Sequence, residues 1–246
     1  MNPGSNLSWS HYRLLLTIKD ENKRKEYEHI VETEGLSKRE LEELIKKEKN
    51  KKNSNKTAIL VEKRGLLNLH KLSKIENISI TTFYLDLGFR VYLDKLEKAN
   101  NAYTDGSIVR VKESKNDYNF TLMNEDQNNK LYTYKGFIKE IVDGDTLWVI
   151  LELGFNTWTT KKVRLRGINA ASVETPPGKK AKKFISDQLK PCSFVIVKTY
   201  WRDKYNRYLA DIFYDKNEGD ANVVAEKGTY LNQLLLDKGL ARKYSL

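Results

Sequence analysis

"YKGFIKEIVDGDTLWVILEL" (134–153) reads as a long β-hairpin, with Gly144 in the turn between two runs of apolar, aromatic and β-branched residues. Downstream, "KKVRLRGI" (161–168) supplies a third strand with Val163, Leu165 and Gly167 facing inward, and "PGKKAKKFISDQL" (177–189) a helix. "FVIVKTYW" (194–201) and "RYLADIFY" (207–214) read as two further strands, and "YLNQLLLDKGLARK" (230–243) as a closing helix. Five strands with a helix after the third predict an OB-type barrel with flanking helices over 131–246.

Upstream of the hairpin the texture is also β-rich. "TAILVEK" (57–63), "ITTFYLDLGF" (80–89), "SIVRVKE" (107–113) and "YNFTLMN" (118–124) favour short strands, and "NEDQNNK" (124–130) closes this middle domain, expected over 57–125. "LLNLHKLSKIENISITTFYLDLGF" (66–89) lines up with "LYTYKGFIKEIVDGDTLWVILELGF" (131–155) after one gap, and both end in Leu-Gly-Phe. The middle domain thus reads as a partial hairpin repeat that lacks the "DGDT" turn, although two unrelated hairpins share the same period-two pattern.

The first fifty residues are helical in pattern. "SWSHYRLLLTI" (8–18) places Trp9, Tyr12 and Leu16 on one face, and "ENKRKEYEHIVETEG" (21–35) follows with Tyr27, Ile30 and Val31. Gly35 breaks the chain before "SKRELEELIKKEK" (37–49), where Ser37 and Glu40 fit a capping box. A helix-turn-helix-like domain over 1–50 and a plain three-helix bundle both suit this pattern. The charged run "KNKKNSNK" (49–56) lacks periodicity, so a linker is expected over 51–56.

The totals narrow the function. The 246 residues hold 44 Lys and Arg against 33 Asp and Glu, a net charge of +11. Residues 131–246 alone carry 20 basic and 13 acidic side chains, +7 of that excess, so a polyanion should meet the C-terminal part first. Cys192 is the only cysteine, which excludes an intramolecular disulfide and a cysteine-based zinc site. No apolar run resembles a signal sequence or a membrane span, so the expected address is the cytoplasm of a bacterium.

Five motifs occur in order: "VDGDT" (142–146), "RLRGI" (164–168), "TPPGKKAKKF" (175–184), "DKYNRYLA" (203–210) and "LNQLLLDKGLA" (231–241). Together they resemble a staphylococcal-nuclease (thermonuclease) domain. The resemblance implies a five-stranded OB barrel that cleaves DNA or RNA phosphodiesters with Ca²⁺, with Mg²⁺ or Mn²⁺ as alternatives. A hard cation needs oxygen ligands, arginines clamp phosphate oxygens, and a carboxylate activates the attacking water. Matched by motif, Asp145 is implied as a metal carboxylate with Asp143 beside it, and Arg164 and Arg207 as the phosphate clamp. Lys204 and Tyr205 are implied at the nucleotide pocket.

The loop after the third strand departs from the family pattern, Gly-Ile-Asp-Ala-Pro-Glu. This chain has Gly167, Ile168, Asn169, Ala170, Ala171 and Ser172. Asn169 offers the metal a neutral carbonyl in place of a carboxylate, and Ser172 stands where the water-activating glutamate belongs. Glu174 is the nearest acid that could take over, but two extended residues span about 6–7 Å, so the loop would have to rearrange. His11, His29 and His70 show no metal spacing, and Lys179, Lys180, Lys182 and Lys183 suit either a phosphate patch or a solvated helix face. Trp148 and Trp158 suit the core or rim of the barrel, with base stacking an alternative for Trp158.

"LSWSHYRLLLTIKDENKRKEYEHIVETEGLSKRELEELI" (7–45) is similar to the helical N-terminal domain of a bacterial family whose C-terminal half is a PD-(D/E)XK nuclease. That resemblance implies a DNA-targeting or protein-interaction module. The chain as a whole is expected to be a metal-dependent endonuclease, acting on DNA more readily than RNA and weakened by the missing carboxylates. The rival expectation is a catalytically silent nucleic-acid-binding protein built on the same barrel.

Overall fold

The computed structural model describes residues 7–55, 58–75, 83–94, 103–115 and 117–244. The chain divides into two compact units, Met1–Thr57 and Ala58–Leu246. The first holds three helices, α1 (Trp9–Leu15), α2 (Glu21–Glu34) and α3 (Lys38–Asn55). Leu15, Tyr27, Val31, Leu41 and Ile45 form its core. Asp20 caps α2 by accepting from the amides of Asn22 and Lys23, and Gly35 ends it in the left-handed conformation. The Ser37–Glu40 capping box forms at the start of α3, with the Ser37 amide donating to Glu40 over 2.8 Å.

Two expectations for this unit need correction. Helix α3 runs on to Asn55 through the run expected as a linker, because lysine and asparagine permit a helix even without an apolar face; Lys56 lies outside the described residues. On α1 the buried side chains are His11 and Leu15, whereas Trp9, Tyr12 and Leu16 face outward. With only seven residues, α1 touches the bundle along one narrow line.

The second unit contains a small antiparallel sheet and a barrel with a common core. The sheet comprises β1 (Leu69–Ser73), β2 (Tyr84–Asp86), β3 (Tyr92–Leu93), β4 (Ile108–Ser114) and β5 (Asp117–Met123), in the order β3-β2-β1-β4-β5. A 3₁₀ turn, Glu125–Lys130, leads into β6 (Thr133–Ile141), β7 (Thr146–Gly154) and β8 (Thr157–Leu165). A short β9 (Ile168–Ala170), helix α4 (Pro176–Leu189), β10 (Val195–Arg202) and β11 (Tyr208–Tyr214) follow. The chain ends with α5 (Ala221–Lys227), β12 (Thr229–Tyr230), α6 (Leu231–Asp237) and β13 (Ala241–Lys243).

Strands β10, β6, β7, β8 and β11 pair in that order, and β10 pairs again with β11, which closes the five-stranded OB-like barrel. All these pairs are antiparallel except β8 with β11. Leu147, Val149, Leu151 and Leu153 alternate inward along β7, and Val163 and Leu165 do so on β8. The fold is therefore α+β with a C-terminal barrel. Its core continues through Leu72, Leu85, Leu87 and Val109 of the small sheet.

The Leu-Gly-Phe echo has a structural counterpart. Gly88, Phe89 and Arg90 have φ of 83°, 57° and 64°, and Gly154, Phe155 and Asn156 have 87°, 52° and 55°. Both turns thus string three left-handed residues together, although only glycine adopts that conformation without cost. Each turn sends its phenylalanine into the other sheet. Phe89 packs edge-on to Tyr208 of the barrel at 4.7 Å, and Phe155 packs against Tyr118 of the small sheet at 4.5 Å.

"TAILVEK" is no strand where it is described, and Thr57 lies outside the described residues. Residues 58–63 lie on the barrel as an irregular strap, with Leu60 buried against Gly167 and its amide donating to Gln233 over 2.8 Å. The Ala58, Ile59 and Val61 carbonyls accept from the Gln233, Lys243 and Arg166 side chains, which stand in for ladder bonds. Within "ITTFYLDLGF" only Tyr84–Asp86 is strand, and residues 80–82 lie outside the described residues. The closing helix stops at Asp237, because Gly239 turns left-handed and Ala241–Lys243 pairs with β9. Gly167 lies beyond the end of β8 in the same conformation, so it is not an inward strand position.

Candidate nucleic-acid interface

Strand register gathers the motif residues at one end of the barrel. Thr146 lies opposite Arg164 in the β7–β8 pair, and Arg164 lies beside Leu209 in the β8–β11 pair. Asp145, immediately before β7, and Arg207, immediately before β11, are thereby brought to the Arg164 end of β8. Asn169 comes back to the same place on β9.

There the side chains are tied to one another. The Arg164 Nη1 donates to Asp145 Oδ1 over 2.7 Å, and its Nη2 donates to Asn169 Oδ1 over 2.7 Å and to the Ile168 carbonyl over 3.5 Å. The second Asp145 oxygen accepts from the Ala170 amide at 2.9 Å, and Thr146 Oγ1 donates to the first at 2.9 Å. Asp145 is 3% exposed, so this is a buried ion pair with both carboxylate oxygens engaged. Burial pushes the Asp145 carboxyl above its ordinary range, with Asp143 adding to the rise, although the Ala170 amide and Arg164 pull it back. Asp143 accepts from the Asp145 amide at 3.0 Å, which holds the turn in shape.

The second arginine is held differently. Arg207 grips Asp203 with Nε and Nη2 at 2.9 and 2.7 Å, and its Nη1 reaches only Thr146 Oγ1, at 3.5 Å. One edge of the guanidinium therefore keeps donor capacity toward the Asp145–Arg164 pair. Burial raises the Asp203 carboxyl, but the hydrogen bonds from the Arg207 side chain and from the Arg207 and Tyr205 amides outweigh it, leaving it below the usual carboxylate range. Tyr205 is exposed, with the Lys204 ammonium and the Arg207 guanidinium 5.1 and 5.2 Å from its ring. Asp203 escaped the sequence reading. Its signal is an aspartate opening the turn "DKYNR", a position where Asx residues bond backbone amides two and four residues on.

The rest of the loop stands apart from this cluster. Glu174 is exposed, and its amide meets Ser172 Oγ at 3.4 Å. The Ser172 carbonyl accepts from the Thr175 amide and hydroxyl, and Thr175 in turn caps α4 through the Gly178 amide. A Cβ on Gly178 would lie 1.9 Å from that Ser172 carbonyl, so the turn sits directly on the helix start.

A divalent cation at this end would need a group of oxygen ligands carrying net negative charge. Among the described residues no three His, Cys, Asp or Glu side chains gather to hold one. Asp145 is committed to three protein donors, and the Asn169 carbonyl is turned to Arg164. The donor set does not fit the Ca²⁺ that the motifs imply. His70 lies away from this end of the barrel, packed against Phe155 at 5.7 Å, and burial lowers its pKa to about 4.

Behind the site, the fully buried Asp211 accepts from Arg166 at 2.7 and 2.9 Å, from Tyr200 at 2.7 Å and from Tyr230 at 2.8 Å. Arg166 also donates to the Val61 carbonyl over 2.7 Å, which fastens the strap to the barrel. The second arginine of "RLRGI" is thus a structural clamp.

Residues 162–246 match the family model described as Staphylococcal nuclease homologue. The C-terminal domain is staphylococcal-nuclease-like. Within the match lie Arg164, Asn169, Ser172, Glu174, Lys204, Tyr205 and Arg207 of the nuclease-like domain; Asp143 and Asp145, on the turn before β7, lie upstream of the matched residues. No curated protein matches the chain. A domain of this kind suggests a nuclease or nucleic-acid-binding function. Among the described residues no helix is long and apolar enough to cross a membrane.

Proposed function

We propose that the C-terminal domain binds nucleic acid by its phosphate backbone at the Arg207 end of the barrel and does not hydrolyse it. The observation that carries this reading is the closed Asp145–Arg164–Asn169 cluster. Both carboxylate oxygens and both terminal nitrogens of the arginine are already bonded within the protein. The positions that would complete a hydrolytic site hold Asn169 and Ser172. Lys204, the Nη1 edge of Arg207 that Asp203 leaves unused, and the exposed Tyr205 ring remain for a ligand, which suits a phosphate and its nucleoside. The excess of basic residues in 131–246 supports the same partner.

A second reading keeps a weak metal-dependent endonuclease, with Asp143 and Asp145 toward Ca²⁺, Mg²⁺ or Mn²⁺ and Glu174 as base. Its support is that Asp145, Arg164 and Arg207 all converge at one end of the barrel. DNA as substrate, a protein partner for residues 1–50, and a bacterial cytoplasmic setting belong to this wider proposal.

The binding reading is tested by fluorescence anisotropy of labelled oligonucleotides in EDTA across a salt series. Arg207→Ala should weaken binding several-fold and lower the slope of log Kd against log salt by about 0.7–0.9. A chain that binds no oligonucleotide at low salt would sink the proposal.

A further inference from the structure

A groove leads away from the barrel mouth along surface that the phosphate-binding residues do not use. Two adjoining cavities, about 270 and 340 Å³, share Phe89, Arg90, Arg202 and Tyr208. The first extends to Tyr92 and Trp201, and the second to Trp148, Lys161, Lys162 and Asn206. Asn206 belongs to the same turn as Lys204, Tyr205 and Arg207, and Trp148 lies three residues from Asp145. The groove thus starts beside the proposed phosphate site. The strained Gly88–Arg90 turn supplies its far wall, outside the residues matched to the nuclease family.

Its chemistry alternates rings and cations. Lys161 lies 5.4 Å from the Phe89 ring, Lys162 6.0 Å from Trp148, and Arg202 5.4 Å from Tyr208. Trp201 is 83% exposed and Tyr92 43%. Among the described residues Arg90, Lys161, Lys162 and Arg202 have no carboxylate partner. The carboxylate in the lining, Asp86, is taken up by the Tyr132 hydroxyl at 2.9 Å and the Gly88 amide at 2.8 Å. Unpaired cations call for an anionic chain, and exposed ring faces call for planar groups that can stack on them. A duplex offers phosphates to such a groove but keeps its base faces stacked inside; a single strand offers both.

We propose that this groove holds single-stranded nucleic acid, with unstacked bases on Trp201 and Tyr92 and phosphates against Arg90, Arg202, Lys161 and Lys162. The inference rests on the reading that the barrel binds nucleic acid, and it assigns the bound form and the role of the small sheet.

The test uses the full chain in EDTA, with labelled single strands, duplexes of equal length and single strands made largely of abasic sites. Trp201→Ala and Arg90→Glu alter exposed side chains, and circular dichroism confirms their fold. Each should weaken single-strand binding about tenfold while changing duplex binding little, and Trp201→Phe should restore most of the loss. The abasic strand should bind the unaltered chain about tenfold more weakly and lose nothing further in Trp201→Ala. If both variants bind the single strand as tightly as the unaltered chain while Arg207→Ala weakens it, the groove is overturned and the barrel-mouth reading stands. If the unaltered chain binds no nucleic acid, both fall. Equal binding of poly-glutamate, lost in the same variants, would overturn the inference in favour of an acidic protein partner.

Discussion

Replacing Asp145 by asparagine separates the two readings of the barrel site through stability alone. If Asp145 were an acid kept ready for a cation beside Asp143, removing its charge would relieve repulsion and stabilise the metal-free protein. The geometry indicates the opposite. Asp145 is 3% exposed and neutralises Arg164, whose side chain is 12% exposed, across 2.7 Å. Breaking a buried pair by removing one partner costs about 3–5 kcal/mol. Arg164 keeps the Asn169 and Ile168 oxygens, an asparagine can still accept from the Ala170 amide, and neutralising the side chain relieves the burial that lifts the Asp145 carboxyl above its ordinary range, so no more than the low end, about 3 kcal/mol, is expected. For a unit of this size each kcal/mol shifts the melting temperature by about 2–4 °C, which gives a fall of about 6–12 °C. The assay is thermal and urea unfolding in EDTA, followed by near-ultraviolet circular dichroism. An Asp145→Asn chain as stable as the unaltered one, or more so, would refute the closed-pair account.

Three further outcomes follow from the fold. Burial holds the His70 pKa at about 4, below the ordinary 6.5, so the unfolded chain takes up a proton that the folded one refuses. Stability should therefore fall by about 3 kcal/mol as the pH drops from 6.5 to 4, and His70→Phe should flatten that part of the stability-against-pH curve. Gly88→Ala would set a Cβ 2.1 Å from the Tyr134 hydroxyl at a φ of 83°, and should cost about 2–4 kcal/mol by urea titration. A chain of residues 58–246 should fold alone, giving amide hydrogen-exchange protection over β6–β11 equal to that in the full chain; loss of that protection would count against two separate units.

The barrel was legible because its strands obey a period of two and its turns carry glycine, as in "YKGFIKEIVDGDTLWVILEL". The capping box at Ser37 and the helix that opens on the Pro176-Pro177 pair were legible because each rests on side chains next to the backbone they satisfy. "TAILVEK" misled, since an apolar run of strand length also suits a strap whose amides and carbonyls meet Gln233 and Arg166 from far along the chain. Trp9, Tyr12 and Leu16 share a helical face, but nothing local tells which face of a seven-residue helix its neighbours cover. The site was half legible. Motif order located Asp145, Arg164 and Arg207, yet spacing could not show that Asp145 is saturated by Arg164, Thr146 and the Ala170 amide, or that Asp203 holds Arg207. Those contacts join residues that only the strand register brings together.

The most direct measurement is product formation from single- and double-stranded DNA and RNA with Ca²⁺, Mg²⁺, Mn²⁺ or EDTA. The unaltered chain is compared with Asn169→Asp combined with Ser172→Glu, which returns both missing carboxylates to the loop. The account predicts that the unaltered chain forms no product with any metal and that the double variant gains metal-dependent cleavage. Metal-dependent cleavage by the unaltered chain, lost in Arg207→Ala, would contradict it.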